Sequence, residues 1–262
     1  MSNDFLDRFV PYEADYTLLN RCRFISLLCF IGIALCSLGI PFLKIYLPNS
    51  TFTSITDFLN ITLIIVYYCL TLITETFLYP ATARKRRKGF LDNSLGSKFL
   101  EKSVRNYYTN DNISPGMYKI VVNCCENCFF TYNIALKMLW GLVTKNIIII
   151  AILWIIVYYG FKNSLLALPI LQIFLSNIFL TELVHHINFV IKLKILLDKA
   201  KDLCQQGKKC PDIRGKAILL FLDYETTLAY NKAPLSNRIY RKFNDEFSRQ
   251  WEDFKKRYII AE

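Results

Sequence analysis

The sequence predicts an all-α polytopic membrane protein with four transmembrane helices and a cytoplasmic helical region. The first observation is that apolar residues gather in four windows long enough to cross a bilayer, at 24–43, 55–79, 146–161 and 164–193. The second is the uneven placement of Lys and Arg along the chain. The hydrophobic content of 53% does not by itself distinguish a membrane protein from a soluble one, because soluble domains have a similar content. A soluble helical core is therefore the alternative.

The positive charge lies on one side of the predicted membrane. The chain carries 32 Lys and Arg and a formal net charge of +11. Only Lys44 and Lys162 lie in the two short connections between paired spans. Cytoplasmic segments of membrane proteins are rich in Lys and Arg, so both termini and the long central loop are predicted to be cytoplasmic. The acidic, polar start of the chain predicts no cleaved signal peptide.

This topology divides the chain into five segments. They are an N-terminal cytoplasmic arm (1–23), a first transmembrane hairpin (24–80), a cytoplasmic helical insert (81–144), a second transmembrane hairpin (145–193) and a C-terminal cytoplasmic helical region (194–262). In the arm, Phe5, Phe9, Tyr12 and Tyr16 follow a helical spacing and predict an amphipathic segment despite Pro11. That segment is either a docked terminal helix or a gate formed by Phe5 and Phe9.

Periodicity and breaking residues predict the cytoplasmic helices. A turn is expected at 89–93, and a short amphipathic helix is predicted from the spacing of Phe99, Val104, Tyr107 and Tyr108. A second helix is predicted to begin at Ser114 and to continue through 140 toward the third span. In the C-terminal region, the fourth span is expected to run on to about 203. Helices are then predicted at 212–231 and from Ser236, the last with an aromatic stripe.

Two of the apolar windows carry polar residues at helical spacing. The second window carries Asp57, Asn60, Tyr67, Thr71, Thr74 and Glu75, and the fourth carries Asn177, Thr181 and His185. Polar groups at membrane depth usually face other helices or water. The stripes therefore indicate either interhelical hydrogen bonding or the lining of a pore formed by several subunits. In a pore, Glu75 and Asp57 would form two rings of carboxylates that favour cations, although Glu75 is equally explained as an interfacial residue.

A basic run follows the second window. It consists of Arg84, Lys85, Arg86, Arg87 and Lys88, with Lys98, Lys102 and Arg105 further along and Tyr107 and Tyr108 beside them. The simpler interpretation is a juxtamembrane anchor to anionic lipid. The sharper one is a site for a phosphate-bearing ligand, because Arg offers paired hydrogen bonds that match phosphate and Tyr can stack on a base. The two interpretations are compatible.

The sequence carries little sign of catalysis or of a cofactor. No nucleophile elbow, phosphate-binding loop or zinc-protease motif occurs. Cys124, Cys125 and Cys128 resemble half of a zinc site, but Cys204 and Cys210 have irregular spacing for the other half. The nine cysteines are therefore predicted to be packing residues, and neither a metal nor a cofactor is expected.

The chain resembles the SMODS-associating four-transmembrane effectors of bacterial anti-phage systems (CBASS-like and Hailong-like). The resemblance lies in ARKRRKGFLDNSLGS at 83–97, KSVRNYYTN at 102–110 and DYETTLAYNKAPLSNRIYRKFNDEFSRQWE at 223–252, together with the order of the spans. It implies a homo-oligomeric effector, for which a tetramer is expected, in the bacterial inner membrane. It also implies activation by a cyclic or linear oligonucleotide from a companion nucleotidyltransferase, followed by membrane depolarisation and abortive infection.

Two other functions stay open at the level of the sequence. One is a non-conducting membrane scaffold that recruits partners through its helical tail. The other is a membrane enzyme acting on lipid, which would have to rely on Glu182 and His185. The absence of a convergent set of catalytic residues argues against the enzyme.

Overall fold

The computed structural model describes residues 9–46, 50–102, 104–105, 107–160, 180–231 and 236–259, and it confirms the all-α class. Over these residues the helices are α1 (Glu13–Tyr46), α2 (Thr51–Ile73), α3 (Tyr79–Leu95), α4 (Met117–Gly160), α5 (Leu180–Gln206), α6 (Ile213–Asn231) and α7 (Asn237–Tyr258). A π-helical segment, Thr74–Leu78, joins α2 to α3 without a break, and a 3₁₀ turn, Gly207–Lys209, follows α5.

The chain separates into two compact units. The hairpin unit comprises Tyr12–Arg84 and Lys145–Leu180. The helical unit comprises Met1–Pro11, Lys85–Thr144 and Thr181–Glu262.

Among the described residues, two helices are long and apolar enough to cross a membrane. They are α1 and the continuous helix Thr51–Leu95, which contains α2, the π-helical segment and α3. Only 12% and 6% of their most apolar stretches are buried, whereas the core helix of a soluble protein is mostly buried. The third predicted window lies at the C-terminal end of α4, and most of the fourth lies outside the described residues. Four spans therefore stay a prediction.

The core of the helical unit forms around the first half of α4. An apolar run there buries Val121, Val122, Cys124 and Cys125 completely. The side chains that enclose them come from α5, α6 and α7, and include Phe189, Leu193, Ala200, Ala217, Leu220, Phe247 and Trp251. Several of these residues are small, which lets the helices approach closely.

Helix α7 shows how the sequence directs this packing. Ser236 caps the helix by accepting a hydrogen bond from the backbone N–H of Ile239. The predicted aromatic stripe then points inward, and Trp251 and Phe254 pack against the ring of Phe129 on α4. The predicted start of this helix, the helix at 212–231 and the continuation of α4 beyond 140 are confirmed.

The predicted helix through Phe99 and Tyr108 is wrong. Helix α3 continues through the predicted turn and ends at Leu95. Gly96 follows it, with a φ of 71° that suits only glycine without strain. The described residues between Gly96 and Met117 are irregular. Asp92 explains the start of this segment, because its carboxylate accepts hydrogen bonds from the Ser97 hydroxyl and from the backbone N–H groups of Phe99 and Leu100.

The N-terminal arm is not a single amphipathic helix over the described residues. Helix α1 begins at Glu13, so Tyr16 belongs to the long helix that contains the first predicted span. Phe9 is extended and exchanges two backbone hydrogen bonds with Arg105, at 2.9 and 3.1 Å. Pro11 follows at once and separates the two conformations. Phe5, the other gate candidate, lies outside the described residues.

Candidate functional site

The polar stripe of α2 faces α1 within the hairpin unit. The Tyr67 ring lies 6.1 Å from the Phe30 ring, and Asp57 pairs with Lys44 at 3.3 Å. Residues before the connection therefore meet residues after it, as in an antiparallel hairpin. The described face of α2 away from α1 is apolar, with Phe58, Ile61, Ile65, Tyr68 and Leu72 exposed. A single chain thus turns its apolar face outward and its polar stripe inward.

The face of α1 that receives this stripe carries small residues. Cys22, Cys29 and Cys36 recur every seven residues, and each is buried or half-buried. Gly32 lies so close to α2 that a Cβ there would meet Leu63 Cδ1 at 3.0 Å. Small residues let membrane helices pack closely when no hydrophobic force distinguishes helix from lipid. The positions of the three cysteines on α1 therefore fit a role in the close packing of α1 against α2.

A charged pair closes the end of this interface. Arg23 donates to one Glu75 oxygen through Nε at 3.3 Å and Nη2 at 2.9 Å. The guanidinium also lies 5.5 Å from the centre of the Tyr79 ring. The two charged side chains are 19% and 30% exposed. Glu75 sits in the π-helical segment, a rare deviation that occurs frequently at functional sites.

Polar atoms along the interface between α1 and α2 are buried without a hydrogen-bond partner among the described residues. Ser26 Oγ, Asn60 Oδ1 and Thr74 Oγ1 are examples. A buried polar group left without a partner costs roughly 1–3 kcal/mol. Asn60 and Thr74 belong to the stripe that the sequence singled out. An interface built only for anchorage would fill these positions with apolar side chains.

The fourth predicted window contributes less to this site. Asn177 lies outside the described residues. Thr181 and His185 begin α5 and belong to the helical unit, where His185 is exposed. Its neighbour His186 is buried instead, with Nε2 at 2.8 Å from the carbonyl oxygen of Ala135.

The cations of the basic run lie in different surroundings. Arg86 forms a 2.6 Å ion pair with Glu225, whose side chain is only 7% exposed, and Arg87 lies 3.9 Å from the same oxygen. The guanidinium of Arg86 also lies over the Tyr224 ring. Arg84, Lys85 and Lys88 are exposed. Part of the run therefore holds the helical unit together, and part faces solvent.

The remaining ligand candidates lie on the irregular segment after α3. Lys98, Lys102 and Arg105 are exposed. Tyr107 is half-buried, while Tyr108 is buried and packs edge-on against Phe90. Of the two tyrosines proposed to stack on a base, Tyr107 is the one with open surface.

A buried carboxyl ties this segment to α4 and α7. Glu126 accepts hydrogen bonds from the Asn110 amide at 2.6 Å and from the Thr109 hydroxyl at 3.1 Å. Trp251 Nε1 and Lys255 Nζ both donate to Thr109 Oγ1, at 2.9 and 3.3 Å. Burial raises the pKa of Glu126 to about 7, although these hydrogen bonds and the charge of Lys255 lower it.

The cysteines of α4 at 124, 125 and 128 lie in the apolar core of the helical unit. Burial raises the pKa of the Cys124 and Cys125 thiols, which disfavours the thiolate that metals bind. Within the described part of the chain, no group of three His, Cys, Asp or Glu side chains is placed to hold a metal ion.

Sequence reasoning missed three of these residues. Arg23 is foreseeable from the antiparallel hairpin, since it lies about as far before the connection as Glu75 lies after it. Glu225 and Glu126 are not foreseeable in the same way. Each is a single acidic residue in an otherwise ordinary helical pattern, and its partners come from distant parts of the chain.

Comparison with known proteins found no matching family model, no matching curated protein and no matching solved structure.

Proposed function

We propose that this chain is a subunit of an oligomeric ion channel in the bacterial inner membrane, opened by a nucleotide or oligonucleotide on the cytoplasmic side. Channel opening would depolarise the membrane and abort phage infection. The observation that carries the proposal is the polar stripe of α2, which ends in the Arg23–Glu75 pair inside an otherwise apolar hairpin. Ionisable residues within membrane helices are costly and usually mark an ion pathway or a switch.

The stripe explains why the hairpin would conduct. Asn60 and Thr74 each bury a polar atom without a partner among the described residues. Water in a pore formed by several subunits would hydrate such atoms and remove their cost. Glu75 would then supply a ring of carboxylates near the cytoplasmic end, which favours cations.

In this proposal the single-chain arrangement corresponds to the closed channel. The stripe is covered by α1, and the Arg23–Glu75 pair holds the two helices together at one end. Opening would expose the stripe to a shared water path. A ligand produces this change only if it binds the open arrangement more tightly than the closed one.

The backbone contact between Phe9 and Arg105 supplies a route for the signal. Arg105 is one of the exposed cations proposed to meet the ligand, and its N–H and carbonyl groups bond Phe9. Phe9 is followed after three residues by Glu13, the first residue of α1. A ligand that displaces the segment around Arg105 would therefore act on the start of the first candidate span.

Conductance in planar bilayers tests the proposal. The purified chain should pass cation current when cyclic or linear oligonucleotides are added on one side. Glu75→Gln should change the ion selectivity or the probability of opening. Asp253→Asn, which alters an exposed carboxylate of α7, is the matched control and should change neither. A chain that inserts into the bilayer but carries no current at any oligonucleotide concentration would refute the channel.

The packing of α7 supports a channel rather than a scaffold that recruits partners through the tail. Such a scaffold needs the aromatic stripe of this helix for its partners. Phe247 and Trp251 are instead each only 1% exposed, in the core of the helical unit. The proposal assigns no catalytic step to the chain. Glu182 and His185, on which a membrane enzyme would rely, are both exposed.

A further inference from the structure

Helix α6 carries a stripe of exposed residues without a charged side chain. The α6 stripe consists of Gly215, Leu219, Leu222, Thr226 and Ala229, at alternating spacings of four and three. Leu219 and Leu222 are 58% and 53% exposed, and Ile218 beside them is 47% exposed. Alternating steps of three and four are the pattern by which one helix packs lengthwise against another. The opposite face of α6 already fills the core, so the α6 stripe is a second packing face that the described residues leave exposed.

Helices α3 and α5 flank the α6 stripe on opposite sides. The Arg86–Glu225 pair, at 2.6 Å, holds α3 to one side of α6, and the Lys199–Asp223 pair, at 3.5 Å, holds α5 to the other. Positions 223 and 225 lie nearly opposite one another around the helix, because one turn takes about 3.6 residues. The α6 stripe therefore points away from the core between two neighbouring helices of the same unit.

Helix α5 extends the apolar surface. Lys192 lies 5.4 Å from the centre of the Tyr230 ring, and Lys199 pairs with Asp223, so α5 and α6 run in opposite directions. This register places Ile195, which is 51% exposed, beside the α6 stripe. With the three exposed apolar residues of α6, it forms a surface on the order of 400 Å², comparable with the largest apolar patches of monomeric proteins. A standard interface takes about 800 Å² from each partner, slightly more than half of it apolar, so this surface suffices for an interface with a folded chain.

The charges beside the α6 stripe differ between its two sides. On the α3 side, Arg87 is 39% exposed and Lys88 is exposed. On the α5 side, acids and cations balance, with Asp198, Asp202 and Asp223 beside Lys192, Lys194 and Lys199. One side is therefore basic, and the other offers carboxylates.

This asymmetry selects one arrangement of two copies. When two copies face each other with parallel α6 helices, the α3 side of one lies opposite the α5 side of the other. Antiparallel helices would instead place α3 opposite α3 and oppose two basic surfaces. Like charges placed opposite each other across an interface are costly. Parallel helices also bring each residue of the α6 stripe onto its own counterpart, with Leu219 and Leu222 in the middle and the small Gly215 and Ala229 at the ends.

We propose that the α6 stripe binds the same stripe of a second copy of this chain, with the two α6 helices parallel. In naming a surface through which subunits meet, the inference rests on the proposed function. A lipid surface is a poorer match for the α6 stripe, because anionic headgroups attract Lys and Arg and the stripe contains neither.

Disulfide crosslinking of the full-length chain in vesicles of phosphatidylethanolamine and phosphatidylglycerol tests the contact. All variants carry Cys69→Ser, which removes an exposed native thiol. Leu222→Cys and Ala229→Cys should each give a covalent dimer on oxidation, because parallel helices in register place each position opposite its own copy. Gln250→Cys, at an exposed position of α7, is the matched control and should give no more dimer than the Cys69→Ser chain.

The mass of the assembly in a neutral detergent measures how much the α6 stripe contributes. Leu222→Lys should raise the dissociation constant by about tenfold or more, because a half-exposed leucine is no longer buried and two lysines would face each other. Gln250→Lys adds the same charge away from the stripe and should assemble like the native chain. Circular dichroism checks that both variants keep the native helical content.

Each outcome bears on the inference. Absence of crosslinks at 222 and 229, or native assembly of Leu222→Lys, overturns the contact. A crosslink at 222 without one at 229 indicates antiparallel helices and overturns the proposed arrangement. A Leu222→Cys thiol that a water-soluble maleimide does not reach, and that forms no dimer, is covered by lipid or by another part of the chain, which also overturns the contact.

Conductance separates the contact from the channel. If the crosslinks form as expected but no oligonucleotide elicits current, the contact stands and the channel fails. If oligonucleotides open the channel and Leu222→Lys keeps both the native current and the native mass, the channel stands and the contact fails.

Discussion

Raising the pH from about 5 to about 8 is expected to destabilise the helical unit through Glu126. Burial raises the pKa of this carboxyl from 4.5 to about 7. The folded chain therefore holds the proton more tightly than the unfolded chain does. The resulting stabilisation is complete below about pH 4.5 and is lost as the pH rises through about 7.

The size of the effect follows from the same values. Each pKa unit corresponds to about 1.4 kcal/mol, so the difference between 4.5 and about 7 gives about 3 kcal/mol. The assay is urea denaturation of the detergent-solubilised chain at a series of pH values. Trp251 is the reporter, because its indole donates to Thr109 in the same network. Replacing Trp140 and Trp154 by Phe leaves Trp251 as the single tryptophan of the chain.

The variant Glu126→Gln isolates the contribution of this carboxyl. An amide keeps the shape of the side chain and an oxygen that accepts from Asn110, but it does not titrate. The variant should lose most of the pH dependence and should be more stable than the native chain at about pH 8. Glu101→Gln, at an exposed carboxylate, should leave the dependence unchanged. A native chain that becomes more stable as the pH rises, or a Glu126→Gln chain with the native slope, would refute the reasoning.

Three further predictions concern packing. Removing one member of the Arg23–Glu75 pair should lower the thermal stability in detergent more than removing both, because a single removal leaves one charge without its partner. Equal losses of stability in the two single variants that add up in the double variant would show that the pair is not coupled. Gly32→Leu should destabilise the hairpin by about 1–3 kcal/mol through overpacking. Gly39→Leu is the control and should leave the stability unchanged, because a Cβ at that position meets nothing within 4 Å. Steric trapping in bicelles measures the stability of both variants. Asp92→Ala should speed amide hydrogen exchange at 97–100 by removing three acceptor contacts, and unchanged exchange would show that the segment holds without them.

The sequence predicted the helices best where a local signal was strong. Ser236 followed by an aromatic repeat predicted α7, and the residues that cap and fill that helix lie as the pattern requires. The prediction from the sequence failed for the short polar segment that follows α3. Phe99 and Tyr108 follow a helical spacing, but Asp92 and the core around Phe90 hold that segment in an irregular path. Three hydrogen bonds to one carboxylate outweigh the weak helical preference of a few residues.

The candidate site shows the same division. The polar positions of α2 were visible from their spacing, because a helix places every third or fourth residue on one face. The sequence did not show which surface these polar positions contact. In the single chain that surface is α1, and Arg23 is its charged residue. For the basic run, the sequence could not reveal that Glu225 holds Arg86 from 139 positions away.

By itself, the sequence determined the all-helical class, the apolar length of two candidate membrane helices and the faces on which polar residues lie. These properties depend on residues within a few turns of one another. Only the tertiary structure decided which charges are paired and which carboxyl groups are buried. Those properties depend on contacts between segments far apart in the chain, and helical periodicity fixes a face but not its partner.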